Sequence, residues 1–244
     1  MLISISFLFP SLFMNCGASS SPRQLALVDS LPREIGGQYL GVGDAVGRHL
    51  EDVLVEQLGY HVPVLVRQRL QTLGLGPFKR MLDLGCGTGL TGGALRDIVE
   101  DITGIDISEN MIEVAHEKEL YETLFVAEVE DFLDDNDEEP FDLVTATDVL
   151  PYLGALEPLF FGAAENMTSG GLFIFSSETL PEATMAGRPY MVGPHQRFAH
   201  ADAYVRERLT ATGFELIEIT DINVRMEEGQ PTPGHLIIAR RFAH

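Results

Sequence analysis

The stretch MLDLGCGTGL, residues 81–90, decides how this chain folds. Its first half is a short apolar run of the kind that makes a buried strand. Its second half, Asp83-Leu84-Gly85-Cys86-Gly87-Thr88-Gly89, is a glycine-rich loop, and beyond it Leu90, Ala94 and Ile98 recur at helical spacing. A strand that runs through glycines into a helix makes a sharp turn whose backbone can approach a ligand closely. In an open α/β sheet such a turn lies at the carboxyl edge of the strands, where ligands bind.

The same texture continues outward. ITGID (102–106) reads as the next strand, and Ser108 caps a helix carrying Met111, Val114 and Ala115. LFVAE (124–128), FDLVTATD (141–148) and GGLFIFSSE (170–178) are further strands, with helices over 156–167 and 202–212, the latter closed by Gly213. FELIEI (214–219) and HLIIARR (235–241) have only the turn-rich EEGQPTPG between them, so they pair as an antiparallel hairpin. The expectation is an α/β fold, a mostly parallel seven-stranded sheet covered by helices on both faces. Ahead of it, Leu50, Val53, Leu54 and Leu58, and then Val62, Val66, Leu70 and Leu73 after a start at Pro63, spell two helices. The chain divides into an apolar, flexible segment (1–21), a helical cap (22–76) and a ligand-binding domain (77–244).

MLISISFLFPSLF, residues 1–13, is too short for a membrane span and has no Lys or Arg before it. Met14 follows directly, so a start there ranks above a signal peptide. Two cysteines, Cys16 and Cys86, make no disulfide framework, and a cytoplasmic setting without stable membrane association is expected. Lys and Arg total 16 against 37 Asp and Glu, a formal charge of −21, which repels phosphate backbones and argues against a nucleic-acid partner. The seven histidines and two cysteines show no metal-ligand spacing, so no metal is expected.

Two acids accompany the glycine loop. Asp83 precedes it, and Asp106 ends the next strand, where a carboxylate would hold a ribose diol. The spacing is G-x-G-x-G, with Leu90 where a pyrophosphate loop carries its last glycine, so a nicotinamide- or flavin-linked oxidoreductase is disfavoured. An acid at the loop suits a ligand with a positive ammonium group.

LDLGCGTG (82–89), GIDIS (104–108) and AEVEDF (127–132), in this order and spacing, resemble the first three motifs of the class I S-adenosylmethionine-dependent methyltransferases, with a Rossmann-like fold. The likeness spans about residues 80–244. HQRFAHADAYVRERLTATGFELIEI (195–219), PTPGHLIIARR (231–241) and LGYHVPVL (58–65) are similar to a narrower group named tetratricopeptide-repeat methyltransferases, although no such repeat occurs here. The resemblance implies S-adenosylmethionine as cofactor. Asp83, Gly85, Cys86, Gly87 and Gly89 would line its methionine end, with the Asp83 carboxylate reaching the ammonium directly or through water. Asp106 would hold the ribose, Ile107 would lie on the adenine, Glu128 and the N–H of Val129 would meet its edge, and Thr147 and Asp148 would sit beside the sulfonium. Asp148-Val149-Leu150-Pro151-Tyr152 is out of register with the Pro-Pro-aromatic signature of nucleic-acid amino-methyltransferases, which again favours a small-molecule acceptor.

The acceptor side is read from position alone. Tyr152, His195, Arg197 and His200 lie after the fourth and fifth strands, at the ligand edge, and His200 and Asp148 are the candidate bases. The segment 179–200, stiffened by Pro181, Pro189 and Pro194, is expected to be a long loop forming the acceptor wall, with Arg197 and His200 facing the methyl group. The bland alternative has His200 capping the next helix and His195 solvated. Tyr39 is the candidate lid aromatic, although Val46 and Leu50 stand where relatives carry aromatics. A non-catalytic cofactor-binding regulator or scaffold stays open beside the enzyme.

Overall fold

The computed structural model describes residues 26–27, 60–193, 195–227 and 229–243. Tyr39, the helix expected around Leu50–Leu58 and the apolar segment 1–21 lie outside the described residues. The chain order is β1 (Ala26–Leu27), α1 (Val62–Leu73), β2 (Phe78–Leu84), α2 (Leu90–Leu95), β3 (Val99–Asp106), α3 (Glu109–Glu117), β4 (Thr123–Val126), α4 (Val129–Asp135) and β5 (Phe141–Ala146). A 3-10 turn (Leu150–Tyr152), α5 (Glu157–Glu165), β6 (Met167–Glu178), α6 (Glu182–Met185), β7 (Tyr190–Val192), β8 (Phe198–His200), α7 (Asp202–Ala211), β9 (Phe214–Glu227) and β10 (Gln230–Arg241) follow.

The strands form one sheet in the order β1-β4-β3-β2-β5-β6-β10-β9, with β8 against β6 and β7 against β8. β4, β3, β2, β5 and β6 run parallel, and the chain reverses its direction of travel across the sheet between β2 and β5. That switch point opens a crevice above the carboxyl end of β2, where the glycine loop sits. β10 pairs antiparallel with β6 and β9 with β10, the expected hairpin. The seven expected strands are all present, and β1, β7 and β8 bring the sheet to ten.

Burial on both faces explains why the strands read as apolar runs. Leu82 and Leu84 of β2 and Phe173 and Phe175 of β6 face a core shared with Phe132, Phe160, Leu209 and Phe214. Met81, Leu172 and Ile174 point the other way, to a core with Val62, Val66 and Leu70 of α1 and Leu95 of α2. The residues 62–73 of the expected cap are therefore a helix packed on the sheet itself. Pro63 opens it and Gly74, left-handed at φ 65°, closes it, its N–H donating to Gln71 O.

Two stretches are more regular than expected. β9 and β10 extend through EEGQPTPG, so most of that stretch is ladder. Pro231 and Pro233 are tolerated because β10 meets β6 only from Gly234 onward, leaving that side without a partner strand to supply. The segment 179–200 is also more than a loop: α6 is followed by a hairpin in which Tyr190 pairs with His200 and Val192 with Phe198.

Phe173 is fully buried, its ring centroid 4.7 Å from Phe175 and 5.5 Å from both Phe160 and Phe214. Phe173→Ala is expected to lower the unfolding free energy by about 3–5 kcal/mol, read by urea denaturation. A loss below about 1 kcal/mol would show that the ring is not packed between β6, α5 and β9 as the structure has it.

Candidate cofactor and acceptor site

The three loop glycines have three different neighbourhoods. A Cβ on Gly85 would meet Val149 Cγ2 at 2.6 Å, and one on Gly89 would meet the Tyr121 ring at 2.9 Å. A Cβ on Gly87 would meet nothing within 4 Å, and this residue holds φ +55°, a conformation L side chains rarely adopt. All three hold positive φ, Gly85 and Gly89 are also small for packing, and Gly87 is the one with open space beside it. Cys86 N–H donates to Ile105 O at 2.8 Å and ties the loop to β3. The Cys86 thiol is buried and free, and burial pushes its pKa up.

Asp83 is fully buried, accepting from Thr145 Oγ1 at 2.7 Å and from Tyr121 OH at 2.8 Å. Burial raises its pKa to about 6 against the pull of those two hydrogen bonds, with Asp106 adding to the rise. It has no exposed surface for the direct or water-bridged ammonium contact that the resemblance implies. Tyr121 carries no motif and sequence reasoning missed it. The available signal was the surplus of glycines: Gly92 inside α2 and Gly104 inside β3, like Gly89, all border its ring.

Asp106, at the end of β3, accepts from the N–H of Gly87 and of Ser108, each at 2.9 Å. Each oxygen keeps a second lone pair, as a ribose diol requires. Ile107 beside it is 54% exposed, an uncovered apolar face next to the open space. Glu128 is not the last residue of a strand, as expected, but the N-cap of α4, with Val129 opening the helix. Both stand on the same edge as Asp106, whose carbonyl accepts from Ala127 N–H at 3.1 Å.

Thr147 is buried, its hydroxyl 2.9 Å from that of Thr91, and its carbonyl accepts from Tyr60 OH at 3.0 Å and from Ser176. Its side chain is committed to the interior. Asp148 pairs with Arg225 of β9, and Glu178, at the end of β6, lies 3.3 Å from the same guanidinium. Glu178 also accepts from Arg197 Nε at 2.8 Å, and Arg197 pairs with Glu227, 3.4 Å from His195 Nε2. Burial works against the Arg225 charge, but Asp148 and Glu178 outweigh it and hold its pKa above the ordinary value. Burial raises Asp148 and Glu178 against the pull of the arginines. Tyr152 is 41% exposed, its hydroxyl pushed up to about 12 by burial and then by Asp148.

Glu178, Arg197, His195, Glu227 and Gln230 line a cavity of about 160 Å³ between the β7–β8 hairpin and the β9–β10 turn. Arg197 and His195 therefore line this cavity, which no residue of the glycine loop borders, and the Arg197 guanidinium is engaged by Glu178 and Glu227. His200 does not line it. It is fully buried, its Nε2–H donating to the carbonyls of Leu153 at 3.0 Å and Gly154 at 3.1 Å. Burial lowers its pKa, its ring stacks on Tyr204, and it holds the chain after the 3-10 turn rather than facing a ligand. Arg225, Glu178 and Glu227 were not singled out in the sequence. Among the described residues there is no group of three or more His, Cys, Asp or Glu placed to hold a metal ion, and no helix is long and apolar enough to cross a membrane.

A glycine loop at the switch point of an open α/β sheet, with a carboxylate at the end of the neighbouring strand and a bare apolar side chain beside it, defines a nucleoside-binding protein of the Rossmann-like class. The chain belongs to the methyltransferase-domain family, whose profile matches residues 77–220. A ubiquinone biosynthesis O-methyltransferase of Alkalilimnicola ehrlichii is 34% identical over 114 residues, 44% of each chain. Another, from Hydrogenovibrio crunogenus, is 28% identical over 103 residues, 41% of this chain and 42% of its own. The chain spans less than half the length of these curated relatives. An S-adenosylmethionine-dependent methyltransferase of Clostridium acetobutylicum shares the fold with TM-score 0.60 and 17% identity, over 82% of this chain and 99% of that one. The magnesium protoporphyrin IX methyltransferase of Synechocystis, solved with bound S-adenosylmethionine, has TM-score 0.55 and 18% identity over 85% and 86%.

Asp83 yields a pH prediction. Its folded pKa of about 6 lies above the ordinary aspartate value of 3.8, so between those values the native state binds more protons than the unfolded state and stability falls as pH rises. The fall is on the order of 3 kcal/mol, complete above the folded pKa. The difference in unfolding free energy between wild type and Asp83→Asn should carry this slope, and a pH-independent difference would show that the carboxylate is not desolvated.

Proposed function

We propose that the protein is an S-adenosylmethionine-dependent methyltransferase acting on a small-molecule acceptor. The observation that carries this reading is the open space above Gly87, bounded by the Asp106 carboxylate and the exposed Ile107 at the switch point of the sheet. Asp106 would accept from the ribose hydroxyls with its free lone pairs, and Ile107 would cover one face of the adenine. Glu128 and the N–H of Val129, at the start of α4, would meet the adenine edge. Gly85 and Gly87 would line the methionine end, with Cys86 and Gly89 shaping the loop around it.

The bound cofactor supplies the electrophilic methyl group, so the protein's task is alignment and exclusion of water. Tyr152, Arg197 and His195 would border the acceptor, with the ion network from Asp148 to Glu227 forming the wall behind it. Asp148 is tied to Arg225, which suits a structural carboxylate better than a free base. The charge of −21 speaks for a small molecule over a nucleic acid, and the free Cys86 thiol fits a cytoplasmic setting.

Calorimetry with S-adenosylmethionine, S-adenosylhomocysteine and NAD side by side is expected to show binding of the first two alone. Binding of NAD in their place would overturn the reading. Methyl transfer into a metabolite extract separates an enzyme from a non-catalytic binder. Asp106→Ala should weaken S-adenosylhomocysteine binding by roughly 1.5–3 kcal/mol, since it removes a charged acceptor and the tether on Gly87 N–H. Gly87→Val should abolish binding in a folded protein, because it fills the one open position of the loop. Wild-type affinity in either variant would place the ligand elsewhere.

A further inference from the structure

Tyr121 occupies a slot made for it. Three glycines from three elements surround its ring: a Cβ at Gly92 would lie 2.5 Å from it, at Gly104 2.8 Å and at Gly89 2.9 Å. Any side chain at these positions would displace the ring. The slot delivers the hydroxyl to one point, 2.8 Å from Asp83 Oδ2 and 3.2 Å from Gly92 N, so it donates to the carboxylate and accepts from the first turns of α2. Thr145 from β5 holds the other carboxylate oxygen at 2.7 Å. A tyrosine that only filled space would not need its hydroxyl in this fork, and three glycines cost backbone entropy that alanines would not.

We infer that Tyr121 is a positioning residue of the cofactor site, holding Asp83 in its charged form beneath the loop so that its field falls on the ammonium of the ligand's amino-acid end. The inference rests on the reading of the loop as a site for S-adenosylmethionine. The titratable groups around Asp83 are Asp106 at the end of β3, Cys86 in the loop, Tyr60 ahead of α1 and Tyr121 itself, which are acidic or neutral. Each ionised neighbour would oppose a second negative charge, and burial opposes it further. The hydroxyls of Thr145 and Tyr121 favour the carboxylate most and the N–H of Gly92 adds to them, and of the two hydroxyls only that of Tyr121 also accepts from α2. In a buried medium an ionised Asp83 attracts a nearby ammonium far more strongly than it would across water.

The test uses two ligands that share the adenosine half. S-Adenosylhomocysteine carries the ammonium and 5′-methylthioadenosine does not. Binding of each is measured by calorimetry over roughly pH 5 to 8, on wild type, Tyr121→Phe and Thr145→Val. In wild type, S-adenosylhomocysteine affinity should rise with pH and level off above about 6, where Asp83 is ionised. In Tyr121→Phe the ring still fills its slot, the inflection should move to higher pH, and affinity near neutrality should fall roughly 3- to 10-fold. Thr145→Val should move the inflection the same way. 5′-Methylthioadenosine should bind all three proteins alike. An unmoved inflection in Tyr121→Phe, or equal losses for both ligands, would overturn the inference and leave the hydroxyl a role in loop shape alone. An unfolded Tyr121→Phe protein beside a folded Thr145→Val one would assign it to stability and overturn it too. Wild-type protein that binds neither ligand would remove the reading of the site itself, and this inference with it.

Discussion

A carboxylate without access to water lies at the centre of the sheet, and much of the structure is arranged to keep it there. Asp83 is the one acid on β2, between two parallel strands, with Leu82 and Leu84 turned to the opposite core. A lone buried carboxylate costs several kcal/mol unless it is hydrogen-bonded. Thr145 answers from β5 and Tyr121 from the chain leading into β4, so the group links the two halves of the sheet across their switch point. The slot for Tyr121 then dictates the absence of side chains in the loop, in α2 and in β3.

The chain's large negative charge gives a misleading picture of its interior. Beyond the switch point, Arg197 and Arg225 are threaded between Asp148, Glu178 and Glu227, and Arg225 is almost fully buried. Removing one member of such a network strands its partners, so the cluster fixes the relation of β6, β8 and β9 to the end of β5. Two guanidiniums face three carboxylates, and His195 Nε2 lies 3.4 Å from Glu227. This edge of the sheet is thus tied by buried polar pairs.

The fold was legible because parallel strands buried on both faces leave unmistakable apolar runs, and all seven expected strands appear. The loop and Asp106 were legible because they are local in sequence. What escaped was built from distant pairs. Tyr121 matters through residues 29 and 38 positions away in sequence. Arg225 meets Asp148 across 77 positions, inside a strand whose alternation looks like an ordinary exposed face. β7 and β8 are three residues each, too short for a period to show. His200 was misread because position at the ligand edge says nothing of direction: its β-strand pairing with Tyr190 turns the ring inward, onto Tyr204.

The glycine motif itself shows how one pattern can hold several causes. Gly85 yields to Val149, which follows β5, and so records the closeness of two strands at the switch point. Gly89 yields to Tyr121, and so records the support of the buried acid. Gly87 yields to nothing in the protein, while its N–H is held by the Asp106 carboxylate. Its positive φ of 55° is reason enough for glycine there, and the tie to Asp106 leaves an open surface above the loop. The other two glycines make that surface possible by letting the loop sit low, close to β3 through Cys86 N–H and Ile105 O. Backbone conformation asks for glycine at all three positions, and packing asks for it at two of them.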